Sequence, residues 1–523
     1  MKKDFRFRSL FKNYCFVLMI LLMVGGCASP NLPPTPLPTP LPPTQTPMPL
    51  RTLEEVDCRS PKPSFIEVKC YDLIVPENRA LSDSPTIRLH VAIYKSTSTE
   101  VAPDPIVYLS GGPGEAAIAS ISSGGLGFKA FRDNRDLIVF DQRGTGNSQP
   151  MLDCPEIFAA TVGTMGQNLS LEDANLRDKQ AFQACHDRLV KEGIDLSAYT
   201  SVASAQDAED LRRALGIEKW NIYGGSYGTR LALTIMRDFP NGIRSAVLDS
   251  VLPPQVNLYN VNYIATQGAF DHLFARCDAD KKCSNAYPDL KKTFFDLVTK
   301  LDAEPITVRA RLSGSSGEKD RVINGGDFLS IFQGMLFSDS AIPFIPKMIA
   351  DTANGDYTLL TKNAGFIFDP AGFAEGMGAS VNCSDESPLS PPIIEPSDID
   401  KINSRFATYM LSWVQTRYEI CLFWGVEKGN PIESRPVISD IPTLILAGEF
   451  DPATPPAWSQ LAAETLSHSY YFEFPNIGHA VTSSDVSTNG CASNLVNSFY
   501  DSPNTTPDST CVSKIKVRGF ITP

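Results

Sequence analysis

Histidine is scarce in this 523-residue chain: His90, His186, His272, His468 and His479 are the only five. Any chemistry that needs an imidazole base therefore has few places to reside. Basic clusters are absent beyond the first dozen residues, and the formal charge is −13. An acidic surface repels phosphate backbones, which excludes nucleic acid as a partner. After residue 24 no apolar run approaches the roughly 20 residues that cross a bilayer. No Cys-x-x-Cys is followed by a matching pair, which disfavours a zinc site, and no internal repeat is present. What remains is ordinary globular composition, 42% hydrophobic and 20% charged, in a chain long enough for two or three structural units.

The first 26 residues read as a leader. Lys2, Lys3, Arg6, Arg8 and Lys12 precede an apolar stretch over 14–24, too short to span a membrane. It ends in Val24-Gly25-Gly26-Cys27-Ala28, which resembles a bacterial lipobox, with Cys27 as the acylated new N-terminus; an ordinary signal peptide is the alternative. Several acyl chains, at about 0.8 kcal/mol per buried methylene, would anchor the protein to a bacterial membrane on its extracytoplasmic side. Residues 27–50 form the lipidated cysteine and a linker. Ten prolines within 30–49 predict an extended spacer of roughly 60 Å at ~3.1 Å per residue.

Export fits the cysteines. Beyond Cys15 and Cys27 there are ten: Cys58, Cys70, Cys154, Cys185, Cys277, Cys283, Cys383, Cys421, Cys491 and Cys511. An even number in an oxidising compartment argues for disulfides, and pairing neighbours in order is the simplest arrangement.

From Cys58 onward strand-like and helix-like segments alternate, predicting an α/β fold with a doubly wound, mostly parallel sheet. Strands are expected over 87–94, 105–109, 136–140, 220–223 and 245–248, with a capped helix over 204–215. The alternation stops after Pro253-Pro254. Helix-like stretches such as 269–277, 290–301 and 328–337 then suggest a mostly helical cap over 255–435. Strands at 442–448 and 470–474, with helices near 458–466 and 489–500, return to the sheet. The sheet domain thus comprises 51–254 and 436–523.

Gly224-Gly225-Ser226-Tyr227-Gly228 lies between a strand and an apolar-faced helix. Gly-x-Ser-x-Gly in that context is a nucleophile elbow: a turn so tight that the serine is strained and a Cβ on the flanking residues would collide with backbone. A serine nucleophile needs a base, and the base needs an orienting carboxylate. Asp451 follows the strand ending at Gly448, and His479 follows the next strand. Both sit where open sheets place their sites, at the carboxyl ends of strands. His468 is the rival base and Glu449 the rival acid. The N–H of Tyr227 and donors from Gly111 and Gly112, after the strand 106–109, would stabilise the tetrahedral oxyanion.

Five motifs occur in order: Gly111-Gly112-Pro113-Gly114; Asp141-Gln142-Arg143-Gly144-Thr145-Gly146-Asn147-Ser148; Gly224 to Gly228; Gly448-Glu449-Phe450-Asp451-Pro452-Ala453-Thr454-Pro455; and Gly478-His479. Together they resemble the prolyl iminopeptidase and tripeptidyl aminopeptidase-like branch of the α/β-hydrolases. The resemblance implies the α/β-hydrolase fold, with a TAP-like C-terminal part, and a serine exopeptidase that releases amino acids or short peptides from free N-termini. It calls for no metal and no cofactor, and the Asp-Gln-Arg-Gly run is expected to brace the loops around the site. The cytosolic members usually carry histidine before Gly-Gly-Pro-Gly; here Ser110 stands there and Glu115 follows. An exopeptidase should hold the substrate ammonium with a carboxylate. Asp385 and Glu386, in a segment resembling a Cys-x-acid motif of the secreted branch, are the first candidates and Glu115 the second. The alternatives are an esterase or other non-peptide acyl hydrolase, served by the same three residues, and a non-catalytic surface binding protein on a hydrolase scaffold.

Overall fold

A computed structural model describes residues 52–62, 66–122, 134–311, 317–365, 372–386 and 402–523. The leader, Cys27 and the proline-rich linker lie outside the described residues. Eleven strands occur among those described: β1 (Thr52–Val56), β2 (Val68–Pro76), β3 (Thr86–Tyr94), β4 (Ile106–Leu109), β5 (Leu137–Phe140), β6 (Trp220–Gly225), β7 (Ile243–Asp249), β8 (Ile306–Arg311), β9 (Glu318–Ile323), β10 (Thr443–Gly448) and β11 (Ser469–Phe474). Nine form one sheet in the order β1-β2-β3-β5-β4-β6-β7-β10-β11. Pairing is antiparallel from β1 to β5 and parallel from β5 to β11.

The parallel strands β4, β5, β6, β7 and β10 are buried on both faces, and their side chains divide by alternation, while β11 at the sheet edge is half-buried. Val107 and Leu109 of β4, Ile138 of β5, Ile222 of β6, Leu248 of β7 and Ile445 of β10 join one core, with Leu211 and Leu231 from the helices Ser201–Ala214 and Tyr227–Asp238. Ile106, Tyr108, Val139, Tyr223, Val247 and Leu446 face the other way, onto Ile118, Leu495, Val496 and Phe499. Helices therefore cover both faces. At roughly 1.5–3 kcal/mol per fully buried large apolar side chain, these two layers are the main stabilisation of the sheet.

The seven expected strands are present with ends shifted by at most two residues. The helix expected over 204–215 begins earlier: Thr200 is its N-cap, accepting from Ala203 N–H at 3.2 Å, and Ser204 lies buried inside it. Between β7 and β10 the described residues are largely helical, with one hairpin among them, β8–β9. These helices share their own core, in which Phe270, Phe274, Phe294, Phe328 and Phe332 pack ring against ring at centroid distances such as 5.2 Å (Phe270–Phe294) and 4.5 Å (Phe328–Phe332). Phe450, beside Asp451, joins the same cluster.

The ten cysteines form five disulfides, each between sequence neighbours: Cys58–Cys70, Cys154–Cys185, Cys277–Cys283, Cys383–Cys421 and Cys491–Cys511. No helix among the described residues is long and apolar enough to cross a membrane.

Candidate active site

The carboxyl ends of β4, β6, β7, β10 and β11 converge on one rim. At the end of β6 Ser226 has φ 55° and ψ −126°, and the helix Tyr227–Asp238 starts at the next residue. A non-glycine residue held so costs about 1–3 kcal/mol, and surrounding bonds must compensate. The Ser226 carbonyl accepts from the Thr229 N–H (2.8 Å) and hydroxyl (2.6 Å), and its N–H donates to the Asp249 carbonyl (3.0 Å). Gly228 is required by contact, since a Cβ there would stand 2.1 Å from the Leu109 oxygen.

Asp451 and His479 meet as expected from their order in the chain. His479 Nδ1 lies 2.8 Å from Asp451 Oδ2. The buried Asp451 accepts from the N–H groups of Ala453 (2.9 Å) and Thr454 (2.8 Å) on Oδ1, and from the Thr454 hydroxyl (2.8 Å) on Oδ2. Burial pulls the His479 pKa down, but the charge and hydrogen bond of Asp451, with Asp249 and Glu115 farther out, outweigh it, so the net shift is upward. The imidazole packs against Phe337 at a centroid distance of 5.1 Å, and the backbone N–H of His479 donates to the Phe337 carbonyl (3.1 Å). Ser226 Oγ makes no hydrogen bond to His479 among the described residues; such contacts commonly tighten only with substrate in place.

The rivals are occupied elsewhere. Glu449 accepts from His272 Nε2 (2.8 Å), Arg276 and the Asn476 N–H (2.7 Å), tying the strand β10 exit to the helix Leu258–Ala279. His468 Nε2 pairs with the Tyr470 hydroxyl at 3.0 Å. His90 is buried against Asp72 (3.0 Å), and His186 pairs with Asp187 (2.9 Å).

The oxyanion loop departs from expectation in one respect. The Gly111 N–H is committed to Glu115 Oε2 at 3.2 Å, so Gly111 serves through its missing side chain rather than as a donor. The N–H groups of Gly112 and Tyr227 have no such partner among the described residues, and Tyr227 stands in the first helical turn, where N–H groups lack intrahelical acceptors. Behind the loop Gln142 donates to the Ser110 carbonyl (3.2 Å). Asp141 accepts from the N–H groups of Ile118 (2.9 Å) and Asn147 (2.8 Å). Buried Arg143 holds Asp207 through two bonds (2.6 and 2.7 Å) and the carbonyls of Glu77 and Ala198. The Asp-Gln-Arg-Gly run thus braces the loops.

Asp385 and Glu386 are not set in the open. Both are buried at the end of the helix Glu375–Asp385, which Cys383–Cys421 joins to the helix Ser404–Trp424. Arg230, one turn beyond Ser226, stands 2.6 Å from Glu386 Oε1 and 3.4 Å from Asp385 Oδ2. Neither contact has hydrogen-bond geometry, so they are charge pairs, while Ser201 donates to Asp385 Oδ2 and the Leu258 N–H to Glu386 Oε2. Arg230 balances one of the two charges, and Asp385 Oδ1 and Glu386 Oε1 accept no hydrogen bond, so it is burial that sets the pair apart from an open amine site. Through Arg230 they hold the segment 372–386, which also bonds the Gly114 carbonyl through the Ala374 N–H (2.8 Å), against the helix Tyr227–Asp238. Glu115 remains, half-buried beside Gly111.

Sequence reasoning did not single out Thr454, Asp249, Ser250 or Arg230. For Thr454 a signal existed: an aspartate followed at i+2 and i+3 by residues whose N–H groups it can bond is a common turn device.

The alpha/beta hydrolase fold family matches residues 104–304 and the TAP-like protein family matches residues 407–511. The chain is 24% identical to the serine protease Hip1 of Mycobacterium tuberculosis over 439 residues, which covers 77% of this chain and 80% of the relative. It is 24% identical to a tripeptidyl aminopeptidase of Streptomyces coelicolor over 423 residues, covering 76% and 74%. A proline iminopeptidase of Xylella fastidiosa is 28% identical over 172 residues, covering 32% and 38%. With its serine elbow and acid–histidine pair on the rim of the sheet, and with these two families matching in this order, the chain is an enzyme with the α/β-hydrolase fold and a C-terminal part similar to the TAP-like proteins.

Proposed function

We propose that the protein is a serine exopeptidase that releases amino acids or short peptides from free N-termini through an acyl-enzyme on Ser226. The observation that carries this reading is the 2.8 Å Asp451–His479 pair on the same rim as a serine in elbow geometry. Ser226 Oγ attacks the scissile carbonyl while His479 Nε2 takes its proton; the carbonyl pair moves onto oxygen, facing the Tyr227 and Gly112 N–H groups. His479 returns the proton to the departing amine as the C–N bond breaks. Water, deprotonated by the same imidazole, then releases the acyl group. Asp451 holds the imidazole tautomer throughout, aided by Thr454.

The relatives named as a serine protease, a tripeptidyl aminopeptidase and a proline iminopeptidase support a peptide substrate. Glu115 supports the free N-terminus, because it is a partly exposed carboxylate whose oxygen lies on the backbone next to the nucleophile. The five disulfides support export to an oxidising compartment, where a lipid on Cys27 would tether the enzyme to the membrane.

The test compares aminoacyl- and tripeptidyl-arylamides with their N-acetylated forms and with simple p-nitrophenyl esters. A free amine should be required, and Glu115→Gln should raise KM for the free-amine substrates alone. Equal turnover of blocked peptides and esters would make the enzyme a general acyl hydrolase instead.

A further inference from the structure

Four non-glycine residues at this rim hold positive φ, and beside Asn476 at 65° three are tied together: Ser226 at 55°, Ser250 at 64° and Ala480 at 63°. Each sits on a different segment: the elbow, the exit of β7, and the turn after His479. Two consecutive residues bond all three. The Asp249 carbonyl accepts the Ser226 N–H at 3.0 Å. The Asp249 carboxylate accepts the Val481 N–H (2.8 Å) on Oδ1, and the Thr482 N–H (2.9 Å), Thr482 hydroxyl (2.9 Å) and Tyr223 hydroxyl (2.7 Å) on Oδ2. Ser250 Oγ accepts the Ala480 N–H at 2.9 Å, and the Ser250 N–H donates to Leu446 of β10, the strand that leads to Asp451.

Asp249 is 0% exposed, and each of these carboxylate partners is an uncharged donor. Burying a carboxylate without a cation is costly, and a plain structural link between two loops could use a neutral group. An asparagine would not reproduce it, because its NH2 group must face an N–H on one side or the other.

Taking Ser226 and His479 as nucleophile and base, we propose that Asp249 is a positioning residue for the acyl-transfer step. One residue fixes the backbone of the nucleophile through its carbonyl and the segment carrying the base through its carboxylate. The acidic groups acting on His479 are Asp451 from the β10 loop, Glu115 from the oxyanion loop and Asp249 from β7. The charge of Asp249 therefore favours the imidazolium that forms when Ser226 gives up its proton.

The experiment is the rate of fluorophosphonate labelling of the full chain, alongside the pH profile of arylamide kcat/KM, in wild type and Asp249→Asn. Labelling and kcat should fall roughly 10- to 100-fold with KM within about twofold, the scale of a small misplacement of reacting groups. The acid limb of kcat/KM should move to lower pH, because a negative charge near His479 is lost. A labelling rate and acid limb equal to wild type, with only a lower melting temperature, would overturn the proposal. If Asp249→Asn does not fold, Ser250→Ala decides: labelling slowed about fivefold or more in a folded protein supports the clamp, and unchanged labelling overturns it. Wild type that is folded yet unlabelled would remove the nucleophile reading and this inference together; wild type that labels no faster than Asp249→Asn removes the inference alone.

Discussion

Gly111 lies against Ser226 so closely that a Cβ on it would stand 3.1 Å from the serine Cβ and 3.3 Å from the Gly225 carbonyl. The oxyanion loop and the nucleophile elbow are thus in direct backbone contact, each shaped by the other. Gly111→Ala should leave the fold intact, because the overlap is a few tenths of an ångström, while moving the Gly112 donor and Ser226 apart. The expected result is a kcat lower by about tenfold or more with KM little changed. Unaltered kcat in the purified variant would show that the loop can move aside without cost to the reaction.

Removing the nucleophile is the sharpest test of the chemistry. Ser226→Ala should reduce kcat by roughly 10⁶ and leave only the residual rate of binding and oxyanion stabilisation. It should also abolish fluorophosphonate labelling. Retained activity in this variant would exclude Ser226 as nucleophile.

The pH dependence follows from His479. The base must be neutral to accept a proton, and its pKa is raised above the ordinary 6.5 because the acidic groups around it outweigh burial. Activity should therefore fall as pH drops through a value above 6.5, and Glu115→Gln should shift that limb downward by removing one of the charges. A profile flat to pH 5 would contradict the assignment.

Much of this site is legible without coordinates because chemistry restricts where its parts can be. Five histidines, a serine in an elbow and an acid after a late strand leave few combinations, and Ser226, Asp451 and His479 follow. Strands β4 to β7 and β10 are readable because strands buried on both faces become apolar runs, and half-buried β11 because Tyr470, Tyr471 and Phe472 make an aromatic run. Strand β1, with Glu54 and Glu55, is an edge strand without such a run, and the helix Leu171–Lys191 is too charged to stand out by apolar periodicity. Asp249 was invisible for the opposite reason: a lone acid ending an apolar strand reads as the strand's boundary. The burial of Asp385 and Glu386 is likewise not legible from their neighbours in sequence. A pair of acids looks available until the fold sets Arg230, about 155 residues earlier, beside them.

Thr454 shares its hydroxyl between Asp451 Oδ2 at 2.8 Å and the neighbourhood of His479 Nδ1 at 3.3 Å. Thr454→Val keeps the shape and removes that donor, leaving Asp451 Oδ2 to His479 alone. A lost hydrogen bond to a buried charged group costs about 1.5–3 kcal/mol, so kcat should fall by roughly 10- to 100-fold, since each 1.4 kcal/mol in the barrier is a factor of ten. Arylamide kinetics and the fluorophosphonate labelling rate should drop together; a change in KM alone would mean the hydroxyl faces substrate instead.

Arg230 ties the segment 372–386 to the helix Tyr227–Asp238 through buried charges. Arg230→Ala leaves Asp385 and Glu386 in the interior with only the weaker pull of Lys428 in place of the guanidinium, and breaking a buried pair from one side typically costs about 3–5 kcal/mol. Urea unfolding at neutral pH should show a loss of that order. Lowering the pH should recover part of it: burial already raises the Glu386 pKa against the opposing pull of Arg230, and without that pull the group protonates more readily. Protonation binds in the folded state a proton that the unfolded chain holds less tightly, so stability of the variant rises toward acid relative to wild type. If the variant unfolds at the wild-type midpoint across that range, the acids are not paired as described, and Asp385 and Glu386 become available again as an amine site.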